Sequence, residues 1–366
     1  MSDKKLMKGC EALGEAAIQA GALCFFGYPI TPQTEVPEYL SKRLPEVGGV
    51  FVQAESEVAS VNMLYGAAGA GARVFTSTSS PGLSLMTEGI SYMAGSELPA
   101  VIINIVRAGP GLGGILPGQG DYLQATKGGG HGDYRMVVLA PSTVQEAADL
   151  MMDAFDIADR YRNPVMVMGD GLIGQMMEPV QFNPRGASDL PVKSWATTGA
   201  KGRAPNIVNS LFLDPLELEQ HNIMLRRKYE RITSQESRFE HYGAEGDLDL
   251  LIVAYGTVAR ISKTTADELN REGRKVAVFR PITLWPFAEA ELRARAEKAR
   301  AILVVELSMG QMIEDVRLST SDRQPISFFG RAGGMVCSPE EVLHVARQVL
   351  DGKKVTVLGD PFSSTV

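Results

Sequence analysis

Short apolar runs alternating with longer amphipathic segments constrain this 366-residue chain more than any other feature. The runs ALCFF, VFVQA, RVFTS, AVIINIV, MVVLAP and PVMVM are too short for helices, whereas CEALGEAAIQAG and TVQEAADLMMDAFDIADRY repeat with helical spacing. Such alternation predicts a parallel sheet with helices on both faces, over residues 1–180. The rhythm then stops. FNPRGASDLPVKSWATTGAKGRAPN is rich in Pro, Gly and polar residues, and EQHNIMLRRKYERITSQESRFE reads as a charged, exposed helix. Residues 181–246 are therefore expected to form a connector with some structure. From 247 to 366 the alternation resumes, with strands at LDLLIVAYG, KVAVFRPI, AILVVE and PISFFG, as in a second, smaller α/β domain.

Composition narrows the classes of function. A formal net charge of -7, without a Lys/Arg run interleaved with aromatics, argues against nucleic acid as a partner. Apolar runs such as Val101 to Val106 stop well short of a membrane span, so no membrane association is expected. Cys10, Cys24 and Cys337 are far apart, and the start MSDKKLMKGC lacks the apolar core of a signal peptide. A reduced cytoplasmic compartment is the expectation. The four histidines form no metal-ligand spacing with each other or with a cysteine, so no metal site is expected in this chain.

Several residues fall where chemistry is done. Glu57, Val61, Leu64 and Ala68 make one stripe of a helix, which turns the Glu57 carboxyl inward, whereas Glu55 leads to a mixed face. Thr31 lies in a turn stiffened by Pro29 and Pro32 after ALCFF, and Arg107 ends AVIINIV. Both sit at carboxyl ends of strands, where open α/β sheets bind ligands. A guanidinium there can clamp a planar carboxylate, and a hydroxyl can donate to a carbonyl oxygen. On the residues alone, Thr31 reads more often as a turn or cap and Arg107 as a solvated charge. The stretch Thr76 to Gly82, which includes Ser80, ends a strand and opens a helix; it can line a ligand or merely cap that helix.

Two apparent motifs do not carry through, and a third segment stays open. Gly109 to Gly114 satisfies a dinucleotide-binding pattern, but Pro117, Gly118 and Gly120 cannot open the helix that would hold a pyrophosphate. Gly169-Asp170-Gly171 has no downstream Asn pair, because the window reads LPVKSWATTGA, so Asp170 is expected to be a strand-end turn residue. The loop KGGGHGDY, with Lys127, His131 and Asp133, suits either a partner-facing or a merely flexible glycine loop.

The peptide Gly27-Tyr28-Pro29-Ile30-Thr31-Pro32, then QAESEVASVNMLYGAAGAG, TSTSSPGLSLMTEGISYMAGSELPA, RAGPGLG and KGGGHGDY, resemble in order the alpha subunits of the 2-oxoacid:ferredoxin oxidoreductases. The resemblance covers most of the chain and is strongest to subunits acting on branched-chain 2-oxo acids. It implies a thiamine diphosphate pyrimidine-binding domain (1–180) followed by a transketolase C-terminal-like domain (247–366). It also implies coenzyme A-dependent oxidative decarboxylation of a 2-oxo acid to acyl-CoA and carbon dioxide, with ferredoxin reduced. Glu57 falls on the family's activating glutamate, Arg107 on the residue holding the substrate carboxylate, and Thr31 on a contact to the substrate carbonyl or first adduct. Ser80 and Pro29 fall beside the cofactor. Thiamine diphosphate with Mg2+ would be shared with a beta subunit carrying the diphosphate-binding domain. [4Fe-4S] clusters would lie in partners, which include gamma and ferredoxin-like delta subunits. A 2-oxoglutarate-specific alpha subunit, a lipoamide-linked thiamine enzyme half and a non-catalytic subunit are the alternatives.

Overall fold

The computed structural model describes residues 4–183, 190–321 and 323–363; residues 184–189 of the expected connector lie outside them. Its strands are, in chain order, β1 (Lys5–Lys8), β2 (Cys24–Gly27), β3 (Val50–Gln53), β4 (Val74–Thr78), β5 (Ala100–Val106), β6 (Val137–Leu139), β7 (Pro164–Asp170) and β8 (Met177–Val180). They continue as β9 (Phe239–Gly243), β10 (Leu250–Val253), β11 (Val276–Pro281), β12 (Thr283–Trp285), β13 (Ile302–Glu306), β14 (Ile326–Gly330) and β15 (Thr356–Leu358). Among the described residues they form a seven-stranded sheet in the order β12-β6-β7-β5-β4-β2-β3 and a six-stranded sheet in the order β15-β14-β13-β10-β11-β9. A separate antiparallel pair joins β1 to β8.

Burial explains the unbroken apolar runs. β5 and β7 pair in parallel over seven residues, and every residue of both is buried. Helices cover both faces, so these strands have no wet side on which polar residues could alternate. The helices start on side-chain caps that the sequence supplies locally. Ser56 accepts from the Ala59 N–H at the head of Glu57–Gly69, Thr143 from Glu146 at the head of Val144–Tyr161, and Ser338 forms a capping box with Glu341.

The two sheets exchange strands. β9, in the region expected to be a connector, is an antiparallel edge of the second sheet, and β12, in the second α/β region, is an antiparallel edge of the first. The charged helix Pro215–Glu236 is also less exposed than its composition suggests. Leu225, Tyr229, Ile232 and the charged Lys228 and Glu236 are buried, with Lys228 donating to the Arg162 carbonyl at 3.1 Å and Tyr161 to Glu236 at 3.0 Å.

The units are joined by apolar and polar contacts together. One buried cluster runs from Val61 and Met86 in the first unit through Tyr122 and Tyr255 to Phe279 and Met312 in the second. Parallel strands of the second sheet change direction of progression between β10 and β13, the kind of crevice where open α/β sheets take ligands. Here Gln119 of the first unit fills it. Its side chain donates to the Tyr255 carbonyl at 3.1 Å and accepts from the Leu307 N–H at 2.9 Å, while its own N–H donates to the Leu307 carbonyl at 2.8 Å.

Arg280 on β11 is the buried ionic counterpart of this seam. Its guanidinium engages both carboxylate oxygens of Glu146 at 2.7 and 3.0 Å and Glu240 on β9 at 2.6 Å. Removing the guanidinium takes charge-assisted hydrogen bonds from two half-buried carboxylates, which keep Ser142 and Lys263 as partners, at a cost of about 2 kcal/mol. Arg280→Ala is therefore expected to lower the thermal unfolding midpoint by several degrees; a midpoint equal to that of the parent protein would show that the seam does not rely on this ion pair.

Candidate active site

The carboxyl ends of β2, β4 and β5 converge on one edge of the first sheet, and that edge gathers most of the residues singled out above. Glu57 is the first residue of its helix, and the stripe Glu57, Val61, Leu64 and Ala68 is buried. Its own exposure is only 5%. Among the described residues its carboxylate makes no hydrogen bond or ion pair, which is unusual for a buried acid. Gly82, in the first turn of the helix Ser80–Gly95, packs against it: a Cβ there would lie 2.5 Å from Glu57 Oε1 and 2.2 Å from Thr78 Oγ1.

Polar side chains on and just after β4 also lack partners. Thr76 Oγ1, Thr78 Oγ1 and Ser79 Oγ are buried without a hydrogen bond. Unsatisfied buried hydroxyls each cost free energy, so several on one strand end mark a place prepared for a polar ligand. A carboxylate beside the Thr78 hydroxyl matches the donor and acceptor edge of an aminopyrimidine, so the residues present fit that end of thiamine diphosphate.

Arg107 is not a solvated charge. It is 7% exposed, with Nη1 donating to the Thr31 carbonyl and Nη2 to the Leu112 carbonyl, both at 2.9 Å, while Nε is buried with no acceptor. The Thr31 side chain is exposed, and the turn before it is fixed by Gln33, which donates to the Tyr28 carbonyl at 3.0 Å and accepts from Ser77 Oγ at 2.6 Å. Pro29 is half-buried in that turn. Ser80 Oγ accepts from the Arg107 N–H at 3.1 Å. The structure thus brings Thr31, Ser80 and Arg107 together, and sets Glu57 against Thr78 and Gly82.

A cavity of about 320 Å³ opens beside Arg107, lined from the first unit by Ser80, Arg107 and Asp121 and from the second by Met309, Gln311 and Gly333. Asp121 went unnoticed in the sequence. Burial pushes its carboxyl pKa up, against the opposing hydrogen bonds from Asn104 and Ser80. Asn104 did carry a signal, since a lone polar residue inside the apolar run AVIINIV must find a hydrogen-bond partner once that run is buried.

Asp170 is more than a turn residue. It caps the short helix Gly171–Gln175 and accepts from Thr257 Oγ1 of the second unit at 3.0 Å; burial pushes its pKa up. In the loop KGGGHGDY, Lys127 pairs with Asp315 of the second unit. Among the described residues no group of His, Cys, Asp and Glu has a metal-holding arrangement, and no helix is long and apolar enough to cross a membrane.

A parallel-sheet unit with a strand-end carboxylate, followed by a second α/β unit, defines a thiamine-dependent enzyme half. Residues 15–242 match the family described as pyruvate flavodoxin/ferredoxin oxidoreductase, thiamine diphosphate-binding, and residues 249–342 match pyruvate:ferredoxin oxidoreductase core domain II. The chain belongs to the 2-oxoacid:ferredoxin oxidoreductase family. It is 47% identical to the ketoisovalerate oxidoreductase subunit VorB of Methanothermobacter marburgensis, over 94% of this chain and 97% of that one. It is 37% identical to the 2-oxoglutarate synthase subunit KorA of Archaeoglobus fulgidus, over 90% and 95%. The solved 2-oxoglutarate:ferredoxin oxidoreductase from Magnetococcus marinus, with 2-oxoglutarate, coenzyme A and succinyl-CoA bound, superposes with a TM-score of 0.85 at 28% identity. That match covers 95% of this chain and 66% of the longer solved one.

Gly82 provides a test of the pocket. In an ordinary helix alanine is favoured over glycine by about 1 kcal/mol, yet here its methyl would displace the Glu57 carboxylate. Gly82→Ala is expected to leave the fold intact and lower turnover of the assembled enzyme about 100-fold, the effect of roughly ångström-scale misplacement. Parent-like turnover would show that Glu57 has room to move without consequence.

Proposed function

We propose that this chain is the alpha subunit of an enzyme that converts a branched-chain 2-oxo acid, coenzyme A and oxidised ferredoxin into acyl-CoA, carbon dioxide and reduced ferredoxin. The observation that carries the mechanism is Glu57, a buried residue at the strand-end edge whose carboxylate has no partner among the described residues and lies beside the unsatisfied Thr78 hydroxyl. Thiamine diphosphate, when bound, supplies the electron sink that makes decarboxylation feasible. Glu57 would hold the aminopyrimidine and share a proton with it, while Thr78 and Ser79 would offer hydroxyls to the same ring. Ser80 and Pro29 shape the adjoining wall.

Arg107 meets the substrate carboxylate. Its guanidinium is oriented by the Thr31 and Leu112 carbonyls, and its Nε–H has no acceptor. The exposed Thr31 hydroxyl donates to the substrate carbonyl oxygen. Among the residues lining the cavity Arg107 is the one base, and Asp121 adds an acid. A second carboxylate, as in 2-oxoglutarate, would find no cation there, whereas the Pro81, Ala108, Leu307 and Met309 walls suit an aliphatic side chain. This favours the ketoisovalerate-type relatives over the 2-oxoglutarate-type ones.

The remaining parts are assigned to partners. A [4Fe-4S] cluster takes four thiolates, and this chain has three widely separated cysteines, two of them buried. The clusters therefore sit in gamma- and delta-type chains, and a beta subunit holds the diphosphate with Mg2+. Exposed apolar side chains near the site edge support such a seat for a partner: Val58 and Met63 on the Glu57 helix, Leu85 on the next, and Leu112, which is 83% exposed. A cytoplasmic location accords with ferredoxin as acceptor.

Two experiments test this reading. Offered a panel of 2-oxo acids with coenzyme A and an electron acceptor, the purified complex is expected to form branched acyl-CoA fastest; faster formation of succinyl-CoA would transfer the assignment to the 2-oxoglutarate class. Glu57→Gln is expected to lower turnover at least about 100-fold in a folded complex, the lower range for an acid-base group. Unchanged turnover with cofactor retained would remove Glu57 from the mechanism.

A further inference from the structure

Behind Arg107 lies a closed set of buried hydrogen bonds that the reading above does not use. Asp121 Oδ2 accepts from Ser80 Oγ at 2.8 Å and from Asn104 Nδ2 at 2.9 Å. Asn104 Oδ1 accepts in turn from the Ser80 N–H at 3.2 Å, and Ser80 Oγ accepts from the Arg107 N–H at 3.1 Å. The hydroxyl proton of Ser80 has two acceptors within reach, Asp121 at 2.8 Å and the Arg107 carbonyl at 3.3 Å; the shorter, charge-assisted bond prevails. The direction of donation therefore runs from Arg107 to Ser80 to Asp121.

The far end of this chain is anchored in the second unit. Gln119 is clasped by Tyr255 and Leu307, Gln311 donates to the Gly120 carbonyl at 2.7 Å and accepts from the Leu123 N–H at 2.9 Å, and Tyr122 donates to Asp315 at 2.6 Å. Lys127 pairs with the same Asp315. Residues on both sides of Asp121 are thus held by the loop and helix that follow β13. Asp121 opens the helix Tyr122–Lys127 but makes no side-chain cap bond to it, so its carboxylate is committed to Ser80 and Asn104.

We propose that Asp121 is a positioning residue for 2-oxo acid recognition: through Ser80 it fixes the backbone from which Arg107 projects, and so couples the second unit to the site. The inference rests on the assignment of Arg107 to the substrate carboxylate. A merely structural acid would affect stability or both substrates alike. A positioning residue affects the 2-oxo acid selectively.

The test is steady-state kinetics of the assembled complex. Asp121→Ala is expected to raise the KM for the 2-oxo acid about tenfold, the scale of losing a hydrogen bond to a charged group, with the KM for coenzyme A unchanged and a smaller fall in kcat. Asp121→Asn should recover most of that loss, because one amide oxygen can accept from both Ser80 and Asn104. Ser80→Ala should raise the same KM, and the Asp121→Ala/Ser80→Ala pair should be no worse than the worse single variant, since both break one link. If Asp121→Ala does not assemble, Asp121→Ser replaces it in the same comparison. Additive effects, equal damage to both KM values, or an unchanged 2-oxo acid KM would overturn the proposal. Arg107→Lys separates the two ideas: a raised 2-oxo acid KM there, with none in Asp121→Ala or Ser80→Ala, sinks the positioning role alone. An unchanged KM in Arg107→Lys sinks the carboxylate assignment and the positioning role with it.

Discussion

The docking of residues 119–127 against the second unit is the constraint on which the rest of this structure depends. Gln119 occupies the crevice between β10 and β13, Tyr122 and Lys127 share Asp315, and a single apolar cluster continues beneath them. Interfaces between domains are commonly polar enough to let the domains move. This one is tied by exchanged edge strands as well, β9 in one direction and β12 in the other. The cavity beside Arg107 has walls from both units, so its shape is defined only while they are held together.

Within that frame the strand-end edge keeps polar groups in a state most proteins avoid. Thr76, Thr78 and Ser79 hold buried hydroxyls without partners, and the Glu57 carboxylate is buried beside them without an ion pair. Each such group opposes folding by roughly 1–3 kcal/mol, more if charged. The surrounding core compensates: β4, β5 and β7 are buried along their whole lengths. Other buried atoms without partners, such as Tyr229 Oη and Ser262 Oγ, lie elsewhere, but Thr76, Thr78 and Ser79 follow one another at a single strand end, where a bound polar ring would gain the interactions that folding left unmade.

Arg107 shows a different economy. Its backbone, its two Nη groups and the loop it opens are all spoken for by protein acceptors, which leaves little freedom to search for a substrate. Preorganisation of this kind reduces the entropy lost on binding and favours one orientation of a planar carboxylate.

Much of this was legible in the sequence, and for a local reason. The alternation of apolar runs with amphipathic segments follows from the periods of strand and helix, and the inward face of Glu57 follows from a count of three and four residues after a Ser cap. The strand-end positions of Thr31 and Arg107 followed from the same reading. What the sequence left open depends on contacts between residues far apart in the chain. On the residues alone Arg107 reads as a solvated charge, but Thr31 and Leu112 close over it, and Asp170 reads as a turn residue, but Thr257 reaches it from 87 residues away. Asp121 gave no periodic signal at all, because its partners Ser80 and Asn104 lie on other elements. β9 and β12 fall outside the apolar runs read as strands, because their pairing is decided by which open edge a strand can reach. Local periodicity determined the elements and the edge on which the site lies; long-range hydrogen bonding, which has no period, decided which side chains there are held and which are left free to bind.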